Sequence, residues 1–255
     1  MRAAVVSLVV GALLLVVTYR AFIPMMLGPG ALAPYQGYDP SVNVGIDNSF
    51  STAGYRFGHS MLNATLLRMD ATGNPAAEGP MPLKNAFFNP QEIVAHGIDS
   101  LLRGLAKQKA QEIDPYVVDD VRNFLFGPPG AGGFDLASLN IPRGRDHGLA
   151  SYQQARIAYG LPSVASFGDI TINAKVQNRL ARAYASVNDI DLWVGGLAED
   201  HVAGGVGGPL VRRILIDQFT RVRDGDRFWY QISLPGTAVA LLESQTLADI
   251  IRRNT

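Results

Sequence analysis

The chain of 255 residues contains no cysteine at all. It therefore forms no disulfide, holds no metal through thiolates and uses no cysteine as a nucleophile. The absence of cysteine leaves the compartment open, because a large domain can be secreted without disulfides.

Charge is scarce as well: 17% of the residues are charged, and the 22 basic residues balance the 22 acidic ones. A net charge of zero gives the chain no long-range field that would attract nucleic acid or an anionic membrane. A basic stretch runs from residue 212 to residue 227, but Asp217, Asp224 and Asp226 interrupt it, which is typical of a solvated helix face. We therefore expect no nucleic-acid partner.

Runs that alternate between apolar and polar residues are few, and only Arg227–Leu234 is typical of a strand. Most of the chain shows helical spacing between Gly/Pro-rich connectors, which predicts a mainly α fold. The connector Gly127–Gly133 lacks the Lys-Ser/Thr end of a phosphate-binding loop and follows a helix instead of a strand. The predicted helices are Asn48–Met69, Pro90–Lys109, Pro115–Phe126, Ser151–Tyr159, Asn173–Val187, Pro209–Arg223 and Ser244–Arg253.

The N-terminus is open to three interpretations. Residues Ala3–Val17 are almost wholly apolar and follow Arg2, in the order found in a signal peptide, and Ala31–Ala33 is a candidate cleavage site. The apolar run is short for a membrane span, which needs roughly 20 residues. The alternative is a buried helix of the domain, ended by Pro24 and the Gly28–Gly30 turn.

Histidine is the natural candidate for binding iron or another metal, and the chain has four. None stands four residues from another, so the spacing of a helical zinc site is absent. Only His59 has a suggestive context: Gly58 allows a flat ligand close to the backbone, and Arg56 shares its helix face. A histidine with an arginine one turn away suits a haem, which has iron at its centre and propionates at its edge. A packed core histidine is the ordinary alternative.

A second polar cluster lies in Asn140–Gly148. We interpret Asp146 and His147 as members of a structural network, in which the aspartate pairs with an arginine and the histidine caps a turn. The remaining polar residues of the cluster are candidates for a binding site, and they are Asn140, Arg143 and Arg145.

These two clusters carry a family resemblance. Tyr55–Ser60 resembles the proximal-histidine helix of the animal haem peroxidase superfamily, and Asp135–Leu149 resembles its second signature. The resemblance covers only the C-terminal part of that family's catalytic domain, a mainly α helical fold, with the peroxidasin-like and bacterial branches nearest. Further blocks agree in the same order, namely Gly97–Asp99, Leu101–Gly104, Val121–Phe126, Asp191–Glu199, Arg223–Tyr230 and Leu247–Thr255.

The resemblance implies a role for each candidate residue. His59 becomes the axial ligand of the iron in a haem b, and Asn140 accepts a hydrogen bond from its other ring nitrogen. Arg56 neutralises a propionate, and Arg143 or Arg145 adds positive potential at the haem edge. Pro142 departs from the family, which more often has Gln there.

The resemblance also extends into the N-terminus, which favours a family helix over a signal or an anchor for residues 1–33. Residues 34–255 then form the proximal half of the haem peroxidase domain. Leu8 and Leu15 stand where the family usually has polar residues.

The family's distal histidine and arginine, its haem-linking acidic residues and its calcium loop come from a region upstream of this helix. Since no counterpart occurs in residues 1–255, we identify no catalytic residue and no calcium site. We expect a peroxidase that, when complete, uses hydrogen peroxide and small electron donors. The chain is then a truncated product or the partner of a separate N-terminal half.

Two alternatives stand beside this expectation. The chain is a non-catalytic haem-binding module, or it is a membrane-anchored helical protein in which haem plays no part. For its location, the sequence favours secretion or another extracytoplasmic site, with membrane association as the second possibility.

Overall fold

The computed structural model describes residues 2–125, 127 and 134–255, and its fold is mainly α, as predicted. The prediction for the connector 127–133 lies largely outside the described residues. Single π-helical and 3-10 turns occur at Thr18–Phe22, Gly54–His59, Phe167–Asp169 and Val187–Asp189. The helices are α1 (Arg2–Val17), α2 (Ile23–Leu27), α3 (Asn48–Thr52), α4 (Leu83–Ala86), α5 (Gln91–His96), α6 (Asp99–Lys107), α7 (Asp119–Arg122), α8 (Leu136–Asp146), α9 (Tyr152–Ala158), α10 (Ala174–Ala183), α11 (Leu192–Ala198), α12 (Pro209–Asp224), α13 (Tyr230–Ser233), α14 (Gly236–Glu243) and α15 (Leu247–Asn254).

The chain divides into two compact units. One consists of Met1–Tyr55 and Ala150–Thr246, and the other of Arg56–Leu149 and Leu247–Thr255. The core of the first unit is built on α12, whose apolar face is fully buried; Pro209 opens this helix, where a missing N–H costs nothing.

The second unit contains the short antiparallel pair β1 (Thr65–Leu66) and β2 (Met81–Pro82), in which Thr65 lies opposite Pro82. Helix α6 packs against β1 and against α15. Helix α6 can approach the backbone that follows β1 only because residue 104 is glycine: a Cβ there would lie 1.8 Å from the carbonyl oxygen of Leu67.

The N-terminal helix packs on the first unit with one stripe of its surface. Ala12 and Val16 are buried in a cluster with Trp229 and Tyr230, whereas Val10 and Leu14 are 51% and 63% exposed. The stretch Val10–Leu27, of mean hydropathy 1.9, is long and apolar enough to cross a membrane. The buried stripe favours the domain-helix interpretation, while secretion and membrane anchoring stay predictions.

Of the two features expected to end this helix, Pro24 does not end it. A π-helical turn, in which the Ile23 N–H donates to the Thr18 carbonyl, precedes α2 and accommodates the proline. The wider turn relieves the clash of the proline ring with the carbonyl four residues earlier. The helix ends at Gly28, the start of the predicted Gly28–Gly30 turn, whose φ of +89° is readily adopted only by glycine.

The prediction of one helix over Asn48–Met69 is also wrong, except for its first residues. Helix α3 stops at Thr52, and the chain continues as the 3-10 helix Gly54–His59. Tertiary packing decides this break, since a Cβ on Gly54 would lie 2.6 Å from Cγ2 of Ile214.

Two other predictions fail for related reasons. The strand expected over Arg227–Leu234 is replaced by α13, because consecutive residues, Trp229 and Tyr230, are both buried and the alternation is lost. The helix expected over Pro90–Lys109 is divided by Gly97, which has a φ of +70°. The remaining predicted helices occur, though several are shorter than expected, α7 most of all.

Replacing Gly104 with alanine should destabilise the second unit by about 1–3 kcal/mol, because the added methyl group meets backbone that has no room to move. Urea denaturation of both proteins measures this difference. The matched control is Gly11→Ala, where a Cβ has open space and a helical alanine should add roughly 0.5–1 kcal/mol of stability. Equal midpoints for Gly104→Ala and the unmodified chain would contradict the close approach of α6 to β1.

Candidate functional site

His59 is the last residue of the 3-10 helix Gly54–His59 and is partly buried. The chain turns away immediately after it: the Ser60 hydroxyl donates to the Phe57 carbonyl at 3.0 Å, and the Met61 N–H donates to the Gly58 carbonyl at 3.2 Å. A Cβ on Gly58 would meet no atom within 4 Å. The backbone beside the imidazole is therefore open to close approach, as a flat ligand requires.

Helix α8 brings the second cluster to this imidazole. The Asp135 side chain caps the helix by accepting from the N–H groups of Ala137 and Ser138. Asn140, one turn further on, is 1% exposed, whereas Pro142 and Arg143 on the following turn are exposed. A buried amide in the middle of a helix must find hydrogen-bond partners from elsewhere in the fold.

Asn140 finds two such partners. Its Nδ2 lies 2.7 Å from Nδ1 of His59, and its Oδ1 accepts a hydrogen bond of 2.9 Å from Nη1 of Arg56. The structure thus brings together three of the predicted site residues, although Asn140 is 81 residues from the histidine and 84 from the arginine.

The electrostatics of the site favour a neutral imidazole and an anionic ligand. Burial, with a smaller contribution from the Arg56 guanidinium, lowers the pKa of His59. Neutral imidazole is the form that binds metals. Burial, and then the charge of Arg143, lower the pKa of Arg56, so these two guanidinium groups act on one another. Their two positive charges favour an anionic ligand nearby.

The other candidates lie differently. Arg145 is exposed in the last turn of α8. His147 is the C-cap residue of α8, where its backbone N–H donates to the carbonyls of Arg143 and Arg145. This agrees with its interpretation as a capping residue.

The remaining histidines offer less. His96, His147 and His201 are all exposed. Among residues 2–125, 127 and 134–255, no three His, Asp or Glu side chains come together as ligands of one metal ion. A metal at this site would depend on His59 together with ligands brought by a cofactor.

Comparisons with known proteins agree with this geometry. The sequence matches the model of the animal haem peroxidase family over residues 7–255, which includes most of α1. The chain belongs to the animal haem peroxidase family. Peroxinectin A of Dictyostelium discoideum is 42% identical over 94% of this chain and 44% of its own length, and thyroid peroxidase of Sus scrofa is 40% identical over 88% of this chain and 25% of its own length.

A solved structure, peroxidase A of Dictyostelium discoideum, superimposes with a TM-score of 0.89 at 41% identity, over 97% of this chain and 48% of that one. Fatty acid alpha-dioxygenase of Oryza sativa shares the fold alone, with a TM-score of 0.70 at 21% identity over 86% of this chain and 39% of that one. The family and the mainly α peroxidase fold are confirmed, and the chain spans about half the length, or less, of the relatives that it matches.

Sequence reasoning missed the bond between Arg56 and Asn140. The resemblance implies that the Asn140 oxygen faces His59, but the structure directs this oxygen to Arg56 and the amide nitrogen to the imidazole. The signal that predicts this orientation is chemical: a guanidinium only donates, so it requires the oxygen of the amide.

The lowered pKa of His59 predicts a pH dependence of stability. The unfolded chain takes up a proton near pH 6.5, and the folded chain takes it up at lower pH. Stability should therefore fall as the pH drops below about 6.5, and His59→Gln should remove that part of the slope.

Urea denaturation between pH 5 and pH 8 measures this slope. The matched control is His96→Gln, at an exposed position in the same unit. Identical slopes for His59→Gln and the unmodified chain would contradict the partly buried, neutral imidazole.

Proposed function

We propose that this chain holds a haem through His59, as the axial ligand of the iron, in a peroxidase-type oxidoreductase. The observation that carries the proposal is the contact between His59 and the buried Asn140, at 2.7 Å. It joins two distant segments of the chain at the one partly buried histidine among the four.

The donor set fits a haem better than a lone metal ion. A single imidazole with a buried hydrogen-bond partner would supply one protein ligand to the iron of a haem, and the porphyrin would supply its own nitrogen ligands. Arg56 and Arg143 provide two positive charges for propionates. The open space beside Gly58 accommodates a flat ring.

Each residue has a separate task in this proposal. His59 binds the iron, and Asn140 fixes the orientation of the imidazole and influences how strongly it donates to the metal. Arg56 and Arg143 neutralise the propionates, while Arg145, exposed in the last turn of α8, adds positive potential. The bound haem would supply the iron at which a peroxide is reduced by electrons from a donor.

Hydrogen peroxide and small electron donors are the substrates that we propose for the complete protein. Cleavage of a peroxide also needs a base that moves a proton and a cation that stabilises developing charge. By the family resemblance, both groups belong to a region that lies outside the match to this chain. A separate N-terminal half that carries this region is therefore a proposed partner, and calcium forms no part of the proposal.

A second candidate, a haem-binding module without catalysis of its own, rests on the same geometry at His59. The two candidates share the His59–Asn140 contact and differ only in peroxide turnover. We also propose that residues 1–33 belong to the domain, because α1 packs on Trp229 and Tyr230.

Titration of the purified chain with haem tests the proposal. The absorption spectrum should show histidine-ligated haem with one equivalent bound, and His59→Ala should lose this spectrum because the iron loses its only protein ligand. The matched control is His96→Ala, an exposed histidine in the same unit, which should bind as the unmodified chain does.

An unchanged spectrum in His59→Ala would contradict the proposal. Histidine-ligated haem with negligible peroxide turnover would select the non-catalytic module. Turnover that appears on addition of a chain carrying the distal histidine and arginine would select the peroxidase half.

A further inference from the structure

The hydrogen bonds around Asn140 fix the position of the proton on His59. A guanidinium only donates, so the amide atom that lies 2.9 Å from Nη1 of Arg56 is the oxygen. The other amide atom, 2.7 Å from Nδ1 of His59, is then the NH2 group, which also only donates. Nδ1 of His59 must therefore accept, and the neutral ring carries its proton on Nε2.

This tautomer is the wrong one for binding a metal through Nε2. Ligation by that nitrogen needs a lone pair at Nε2, with the ring proton on Nδ1 facing an acceptor. Turning the Asn140 amide by half a turn would supply the acceptor. The turned amide, however, would face the Arg56 guanidinium with its NH2 group, donor against donor. Because Asn140 is only 1% exposed, water cannot easily resolve this conflict.

We infer that Arg56 is a positioning residue, which acts on His59 through Asn140 and keeps the imidazole in the Nε2–H tautomer until an anionic group draws the guanidinium away. The inference rests on the proposed function, in which the incoming haem brings both the anion and the iron. Departure of Arg56 frees the amide to turn, and the turned amide accepts from Nδ1–H. Anion binding and metal ligation are thereby coupled.

The surroundings of Arg56 support such an exchange of partners. The nearby charge of Arg143 opposes its own, and the Arg56 side chain is only partly buried, so a neighbouring anion is a favourable alternative partner. The neutral ring carries one proton before and after the exchange, because the proton released from Nε2 is matched by the proton taken up at Nδ1. No net charge is created at the imidazole.

Nitrogen-15 NMR of the haem-free chain, labelled at histidine, tests the inference at a pH above 7. In the unmodified chain the His59 signals should show the lone pair on Nδ1 and the proton on Nε2. In Arg56→Met the amide is free to turn, and the ratio of the two tautomers should shift towards Nδ1–H by about tenfold or more, as expected for losing a hydrogen bond to a charged donor.

Two further variants separate a positioning role from a merely structural one. Arg56→Lys keeps a cationic donor and should keep the Nε2–H form. Asn140→Asp offers an oxygen to both neighbours, so the proton should move to Nδ1 while the bond to Arg56 is retained. An Nδ1–H tautomer in the unmodified chain, or an unchanged ratio in both Arg56→Met and Asn140→Asp, would overturn the inference.

The same measurement separates this inference from the proposed function. If the tautomers follow the expected order but His59 never ligates haem, the proposed function fails and the control of His59 by Arg56 stands. If His59 ligates haem and the haem-free chain already carries its proton on Nδ1, the inference alone fails.

Discussion

The buried amide of Asn140 is the constraint on which the site depends. It lies between a guanidinium that can only donate and an imidazole that can either donate or accept. Because the guanidinium takes the amide oxygen, the amide NH2 group faces the imidazole, and Nδ1 of His59 has to accept. Because the amide is almost excluded from water, its two contacts satisfy polar groups that water could not satisfy in this arrangement. The orientation of the His59 imidazole thus depends on a residue that lies 81 positions away in the sequence.

The fold provides this arrangement through two local devices. The 3-10 helix Gly54–His59 replaces the continuation of α3 and ends on the histidine itself, while the Asp135 cap fixes the start of α8 and therefore the position of Asn140 one turn later. The break after α3 is itself determined by packing at Gly54. Backbone and side-chain packing together place the imidazole beside open space and beside its partner.

The sequence predicted which polar residues come together better than it predicted the ends of the helices. Arg56, His59 and Asn140 are polar or charged residues that would be unfavourable to bury without a partner. They also belong to motifs that resemble those of the family. Helix boundaries failed where tertiary packing overrides local preference, as at Gly54 and in the buried pair Trp229 and Tyr230. The bond between Arg56 and Asn140 was missed because the resemblance assigned the Asn140 oxygen to His59 and the Arg56 guanidinium to a propionate.

The most direct test of the central claim is a crystal structure of the chain with haem bound. Our interpretation predicts that Nε2 of His59 lies on the iron, that Nδ1 faces the oxygen of Asn140, and that Arg56 contacts a propionate. Another residue on the iron, or a haem that is absent from the neighbourhood of the 3-10 helix Gly54–His59, would contradict it.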